Sequence, residues 1–185
     1  MLDTNELERA FSEDGAGNWT RRIRYSLDEA FRRERAAAGH GISAPRQLID
    51  AWRAGTVSDA FLTRMSLADA TKPWLARVDV TENSPWQYRY TQHMSSPYGH
   101  FRGESLAEVT ASHPFPSHVT SAMLDYHSCK QTQQPTYFEI EQVVDGIYRA
   151  YTRLMVPLQG RRGKLSEVAY AIRYTAEPSS VPEPV

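Results

Sequence analysis

The sequence predicts an α+β domain with a five-stranded antiparallel sheet, and three observations support this class. The apolar residues change from a spacing of three to four residues to strict alternation after residue 73. A helical middle section separates two aromatic-rich strand patterns from three more strand patterns. Tight-turn signals join the last three strands. The predicted order is two strands, helices over one face of the sheet, and three strands.

Residues 1–45 are predicted to be an N-terminal helical extension and linker. The apolar residues between 19 and 38 recur at three-to-four spacing, opposite an arginine-rich side, which indicates an amphipathic helix. Gly39, Gly41 and Pro45 then break the pattern. Two shorter helices are expected at about residues 46–52 and 58–66.

The first two predicted strands cover residues 74–80 and 86–94, with an aromatic inner face formed by Trp86, Tyr88 and Tyr90. In the middle section, Ser105 and Glu108 have the spacing of a capping box. A longer amphipathic helix is predicted at residues 117–130.

The last three strands are expected at residues 136–144, 147–158 and 164–174. Asp145 and Gly146 form a strong hairpin signal, because a type I′ turn requires positive φ at both central residues. Residues 177–185 are proline-rich and are predicted to be disordered. The domain itself is assigned to residues 46–176.

Composition narrows the possible classes of function. The net charge of −1 provides no general argument for a nucleic-acid partner. The single cysteine, Cys129, excludes an intrachain disulfide framework. No run approaches the roughly 20 apolar residues that span a bilayer, and the N-terminus lacks the pattern of a signal peptide. We therefore expect a soluble, cytoplasmic protein without a membrane span.

Several short patterns, in this order, resemble a PAS domain, and more narrowly the short alphaproteobacterial PAS proteins that have an N-terminal helical segment. The resemblance covers about residues 46–175, and the order of the motifs is stronger evidence than any one of them. The matching residues are Trp52-Arg53-x-Gly55, the strand at residues 75–80, Gly103-x-Ser105-Leu106-Ala107-Glu108-Val109, Gln134-Pro135-x-Tyr137 and Tyr151-x-Arg153-Leu154-Met155-Val156-Pro157-Leu158.

The resemblance implies a sensory or adaptor module in bacterial signalling that binds a small ligand, a protein partner or both, without catalysis. It also implies a homodimer, formed through the N-terminal helices or the outer sheet face, and an unidentified signalling protein as partner. Because no output domain fits after residue 175, a stand-alone module is expected.

The familiar cofactors of PAS domains have no matching residues here. The resemblance implies that the proximal histidine of an oxygen-sensing haem PAS domain would lie near position 122. This position is Ala122, and His118 lies one turn earlier. A covalent flavin photosensor would have its cysteine in an Asn-Cys-Arg context, whereas Cys129 lies in His-Ser-Cys-Lys. Haem and flavin are thus both disfavoured, the cofactor is unknown, and no metal site is predicted. Cys129 is interpreted as a packed side chain, with an oxidant-sensing thiol as the alternative.

The candidate ligand-binding residues are aromatic and apolar side chains expected on the inner face of the sheet and on the long helix. They could orient a planar ligand through their phenol hydroxyls, or they could simply fill the core of a protein-interaction module. They are Tyr88, Tyr90, Met123, Tyr126, Leu154 and Tyr170.

A small cone-shaped α+β enzyme of the ketosteroid-isomerase type is the alternative from another functional class. Such an enzyme needs a pocket carboxylate whose pKa is raised. Asp79, Asp125, Glu139 and Glu141 are the carboxylates considered for this role, although each occupies a position that is predicted to face outward or is ambiguous.

Overall fold

The computed structural model describes residues 6–13, 17–37, 43–68, 75–92, 101–113, 116–144, 146–159 and 165–180. In these residues the chain forms five α-helices and one sheet of seven strands. The elements are β1 (Glu6–Glu13), β2 (Trp19–Tyr25), α1 (Leu27–Ala36), α2 (Ala44–Arg53), α3 (Asp59–Leu67), β3 (Leu75–Asp79), β4 (Arg89–Gln92), α4 (Leu106–Ser112), α5 (Pro116–Thr132), β5 (Thr136–Val144), β6 (Ile147–Gln159) and β7 (Leu165–Ser180).

The strand order in the sheet is β1-β2-β5-β6-β7-β3-β4, and every neighbouring pair is antiparallel. The α+β class is therefore confirmed, but the predicted number of strands is not. The five strands expected from the sequence form the contiguous part β5-β6-β7-β3-β4. The two additional strands come from the N-terminal segment and extend the sheet beyond β5.

The predicted helix over residues 19–38 is wrong in its first third. Residues 19–25 form β2, which pairs with β1 on one side and with β5 on the other. Ile23 and Tyr25 are buried and Arg24 between them is less so, as expected for alternating strand side chains. Hydrogen bonds to two neighbouring strands override the local helix propensity. Ser26 then caps α1, since its hydroxyl accepts from the Glu29 amide at 3.2 Å.

Helices cover both faces of the sheet, where one face was expected. Thr152 and Arg153 are neighbours on β6, so their side chains point to opposite faces. The Thr152 hydroxyl donates to Glu34 of α1 at 2.9 Å, whereas the Arg153 guanidinium donates to Asp125 of α5. We call these the α1 face and the α5 face. Helix α2 packs beside α1 on β6 and β7.

The second strand of the first hairpin starts later than predicted. Residues 85–87 form one turn of 3-10 helix, and β4 begins at Arg89. His93 and Met94 lie outside the described residues. Trp86 lies in that turn and is 43% exposed, so it does not belong to the inner aromatic face. Tyr88 and Tyr90 are buried as predicted. Pro85 starts the helical turn because its fixed φ suits a first helical position.

The predicted disorder of residues 177–185 is wrong for their first four residues. Strand β7 continues to Ser180, which lies opposite Ile147 of β6. The side chains there are exposed, and the pairing depends on backbone hydrogen bonds, which an analysis of apolar content does not detect. Residues 181–185 lie outside the described residues.

The predicted local signals of the middle section are confirmed. The backbone amide of Ser105 donates to Glu108 Oε2 at 2.7 Å, and the Glu108 amide donates back to Ser105 Oγ at 3.3 Å.

Gly55 and Gly103, which belong to the motifs that resemble a PAS domain, have φ of +65° and +88°. This left-handed region favours glycine. Gly146 also has positive φ, and Asp145 lies outside the described residues.

In the described part of the chain, no helix combines the length and apolar character that are needed to cross a membrane.

Candidate functional site

The candidate site lies on the α5 face of the sheet, under the long helix. The strand register defines which side chains share this face. Arg153 of β6 pairs with Ile172 of β7, Met155 with Tyr170, and Tyr151 with Tyr174. All of these side chains therefore point toward α5.

Five of the six predicted ligand-binding residues are on this side of the sheet. Met123 and Tyr126 are buried on α5, and Tyr170 packs against the same apolar cluster. Tyr90 reaches this face from β4, since its register partner Val78 pairs with Val168 of β7. Tyr88 precedes β4, and its hydroxyl lies 3.0 Å from Nδ1 of His127 on α5.

Leu154 is the exception, and its assignment to the same pocket is corrected by the register. It lies between Arg153 and Met155 on β6, so its side chain points to the α1 face. Its partner on β5 is Tyr137, whose hydroxyl donates to Glu34 of α1 at 2.8 Å. The period-two pattern identified Leu154 as a buried residue but did not reveal that both faces are covered.

The aromatic side chains are close to one another. The rings of Tyr126 and Tyr170 are 6.0 Å apart between centroids, with an interplanar angle of 55°. The ring of Tyr90 is 6.2 Å from that of Phe101, which in turn lies 5.8 Å from His113. Tilted pairs at these distances are favourable aromatic contacts.

Arg153 is fully buried among these rings and is the unusual residue of the face. Its Nη2 donates to Asp125 and, at 3.2 Å, to the Ser121 hydroxyl, both on α5. Its Nε and Nη1 have no hydrogen-bond partner among the described residues. A buried donor without a partner costs about 1–3 kcal/mol. Two such nitrogens therefore suggest that a ligand or water accepts their hydrogen bonds.

Asp125 is shared by two arginines. Besides Arg153, it accepts a hydrogen bond from Nη2 of Arg22 on β2. The Arg22 guanidinium lies 4.4 Å above the ring of Phe138, and its buried Nε has no partner in the described structure. Two guanidinium groups thus share one carboxylate, with Arg153 and Asp125 buried and the Arg22 side chain 21% exposed.

Burial controls the protonation of the surrounding groups. It raises the pKa of Tyr151 to about 12 and the pKa values of Tyr126 and Tyr170 well above their usual value. These phenols are therefore neutral at physiological pH and keep their hydrogens. Burial opposes the charge of Arg153, but the nearby Asp125 raises its pKa overall, so the guanidinium remains protonated.

The Cys129 thiol is buried, and burial together with the charge of Asp125 raises its pKa to about 12. A thiolate is the reactive form of cysteine, so this environment favours the interpretation of Cys129 as a packed side chain. The neighbouring Lys130 faces elsewhere, since its ammonium donates to the Glu82 carbonyl at 2.6 Å.

The four carboxylates considered for an enzyme are all engaged. Asp79 accepts from the Thr81 amide at 2.8 Å, and Asp125 binds the two arginines. Glu139 interacts with Arg33 at 3.2 Å, and Glu141 with Arg21 at 2.5 Å. On β5, Glu139 and Glu141 alternate with Phe138 and Ile140, so their side chains point to the opposite face of the sheet. This is the α1 face.

A separate groove of about 420 Å³ lies where α2 and α3 meet the end of β6. Trp52 and Gly55 of the first PAS-like motif line it, together with Leu62, Pro157 and Leu158. Asp59 at its rim is bound by Arg77 at 2.7 Å.

In the described part of the chain, no three histidine, cysteine, aspartate or glutamate side chains gather into a possible metal site. His40, His93 and His100 lie outside the described residues.

Searches against family models, curated proteins and solved structures found no match for this chain.

Sequence reasoning missed the central role of Arg153 and Asp125. One signal was available: Arg153 is a charged residue inside a mainly apolar strand pattern at residues 150–158. Asp125 gave no such signal, because its two partners lie far away in the chain. Arg153 of β6 is 28 residues away and Arg22 of β2 is 103 residues away.

Proposed function

We propose that this protein is a PAS-like sensory or adaptor module in bacterial signalling, which binds a small molecule between α5 and the sheet without catalysis. The chain order β3-β4, then α4-α5, then β5-β6-β7 is the order on which the resemblance to PAS domains depends. The pairing of β3 with β7 supports this interpretation, because it joins the two parts into one contiguous five-stranded unit.

The observation that carries the proposal is the buried Arg153, which lies beside Tyr126 and Tyr170 and has two nitrogens without a hydrogen-bond partner among the described residues. Buried hydrogen-bond donors in protein interiors almost always have a partner. Binding sites for small molecules, in contrast, combine apolar and aromatic walls with a few polar groups that fix the orientation of the ligand. The α5 face has this composition.

The carboxylates favour binding over catalysis. A general base needs a carboxylate with a raised pKa that is open to the substrate. Asp125, the one nearest to Arg153 of the four considered, is instead held by two guanidinium groups. It is suited to positioning the arginines.

Signal transmission would pass through the strands shared by both faces. Arg153 contacts α5, and its neighbour Thr152 contacts Glu34 of α1. A ligand that binds one arrangement of Arg153 more tightly would shift the population of arrangements, and β6 would transmit the shift to α1. A partner protein, or the second subunit of the proposed homodimer, would detect it there.

Native mass spectrometry of the protein as isolated, compared with its denatured mass, tests the proposal. We expect a small molecule bound in a fixed ratio, and slower amide hydrogen exchange in α5 when it is present. A protein free of ligand, with α5 exchange unaffected by metabolite extracts, would instead support a protein-interaction module with a filled core. Light scattering coupled to size exclusion tests the homodimer, for which twice the mass of one chain is expected.

A further inference from the structure

The charge balance around Asp125 points to the class of ligand, an inference that rests on the proposed function. Arg22 and Arg153 together carry two positive charges, and Asp125 carries one negative charge. The tyrosines around Arg153 are neutral, since burial raises the pKa values of Tyr126, Tyr151 and Tyr170. Among the described residues, the cluster therefore has an excess of one positive charge.

An uncompensated charge is costly in this setting. Arg153 is 0% exposed, the side chain of Asp125 is 5% exposed and that of Arg22 is 21% exposed, so water compensates only part of the excess. Isolated buried charges are stabilised by a counter-charge that also accepts their hydrogen bonds. A bound group with one negative charge would supply both.

The available donors define the shape of that group. Nη2 of Arg153 is occupied by Asp125 and Ser121, which leaves the N–H groups of Nε and Nη1. Guanidinium groups form strong, charge-assisted hydrogen bonds with carboxylate oxygens. A carboxylate has the required charge and acceptor oxygens.

The walls of the site favour an aromatic acid over a purely aliphatic one. The rings of Tyr126 and Tyr170 pack against each other, 6.0 Å apart between centroids at an interplanar angle of 55°, and both tyrosines neighbour Arg153. An aromatic ligand contacts such surfaces favourably. We propose that the α5 face binds a small aromatic carboxylate, whose carboxylate accepts hydrogen bonds from Arg153 while its ring packs against these tyrosines.

Isothermal titration calorimetry of the full chain with benzoate, salicylate, cinnamate and indole-3-acetate, each beside its neutral amide, tests the charge requirement. We expect at least one acid to bind about tenfold or more tightly than its amide, since hydrogen bonds to charged groups contribute this much. Equal binding of acid and amide would overturn the requirement for an anion. Binding of none of the four acids would overturn the proposed ligand class.

Variants then locate the interaction. Arg153→Gln is expected to weaken binding of the acid about tenfold to a hundredfold, and Arg22→Gln to weaken it to a smaller extent. Arg21→Gln is the matched control, because Arg21 lies beside Arg22 on β2 but points to the other face, where it pairs with Glu141. Unchanged affinity in both Arg153→Gln and Arg22→Gln would overturn the assignment. If Arg153→Gln does not fold, Arg22→Gln and the comparison of acid with amide still test whether this cluster binds the carboxylate.

The ligand class and the proposed function fail in different ways. A neutral molecule found by native mass spectrometry would contradict the carboxylate but support a ligand-binding module. If native mass spectrometry finds no bound molecule and none of the acids binds, both proposals are contradicted.

Discussion

Arg173 donates two hydrogen bonds to Glu34, from Nε to one carboxylate oxygen and from Nη2 to the other, each at 2.9 Å. The two residues are 139 positions apart in the chain. Glu34 is 1% exposed and also accepts from the hydroxyls of Tyr137, Thr152 and Ser43. One carboxylate thereby connects α1 to β5, β6 and β7 and to the start of α2.

Replacing Glu34 with Gln should destabilise the protein strongly. The substitution removes a charge that Arg173 and three hydroxyls surround, and breaking a buried pair costs about 3–5 kcal/mol. Urea denaturation followed by circular dichroism measures the change in the free energy of unfolding. The control is Glu141→Gln, which breaks the more exposed pair with Arg21 and should cost about 1 kcal/mol or less. Equal effects of the two substitutions would contradict the connecting role of Glu34.

The stability provided by Glu34 should depend on pH in a specific direction. Burial alone would raise the pKa of Glu34, but the hydrogen bonds and charge of Arg173, with the hydroxyls of Tyr137 and Thr152, lower it overall. A carboxylate with a depressed folded-state pKa stabilises the fold fully above its unfolded value of about 4.3, and this contribution is lost as pH falls through the folded value.

The difference in unfolding free energy between the unmodified protein and Glu34→Gln should therefore be constant between about pH 6 and 8 and shrink below about pH 4. Urea titrations at a series of pH values measure it. A difference that grows with acidification would mean that the pKa of Glu34 is raised.

Asp125→Asn should destabilise the protein as well, because it leaves Arg22 and Arg153 without their shared counter-charge. The expected loss is about 3 kcal/mol, as for other buried ion pairs that lose one partner. Thermal unfolding in the absence of added ligand measures it. Asp79→Asn is a suitable control, since Asp79 accepts hydrogen bonds only from Thr81 in the described structure and its replacement should cost about 1 kcal/mol.

Cys129 should react slowly in the folded protein. Its pKa of about 12, caused by burial and by the charge of Asp125, leaves about a thousandfold less thiolate at neutral pH than an unfolded cysteine has. Labelling with iodoacetamide, with and without urea, compares the two rates. Rapid labelling of the folded protein would revive the alternative of an oxidant-sensing thiol.

Gly103→Ala should cost about 1–2 kcal/mol, and the cause should be backbone strain alone. Gly103 has a φ of +88°, and an added Cβ would meet no atom within 4 Å. A residue with a side chain is disfavoured in this region. Chemical denaturation measures the cost, and Ala107→Gly on the exposed side of α4 provides a helix-propensity control of about 1 kcal/mol.

Much of the local structure could be predicted because it depends on neighbouring residues. The capping box of Ser105 and Glu108 and the helix that became α5 need only a few consecutive positions, and both are present. The N-terminal strands could not be predicted in this way. The spacing of Trp19, Ile23 and Leu27 is compatible with a helix, and only the hydrogen bonds from β1 and β5 select a strand.

The candidate site shows the same division. Alternation along β4, β6 and β7 identified Tyr90, Tyr170 and Leu154 as inward-facing residues, but a sheet covered on both sides has two inward faces. The register of β6 placed Leu154 under α1 and Arg153 under α5.

The sequence by itself determined the α+β class, the approximate positions of the five central strands along the chain and the aromatic content of the interior, because these follow from periodicity and turn chemistry. Tertiary structure alone decided that the sheet has seven strands, that both faces are covered, and that Arg153 and Arg22 share Asp125. These features depend on contacts between residues up to 139 positions apart, and their energies come from burial and charge pairing that no local pattern encodes.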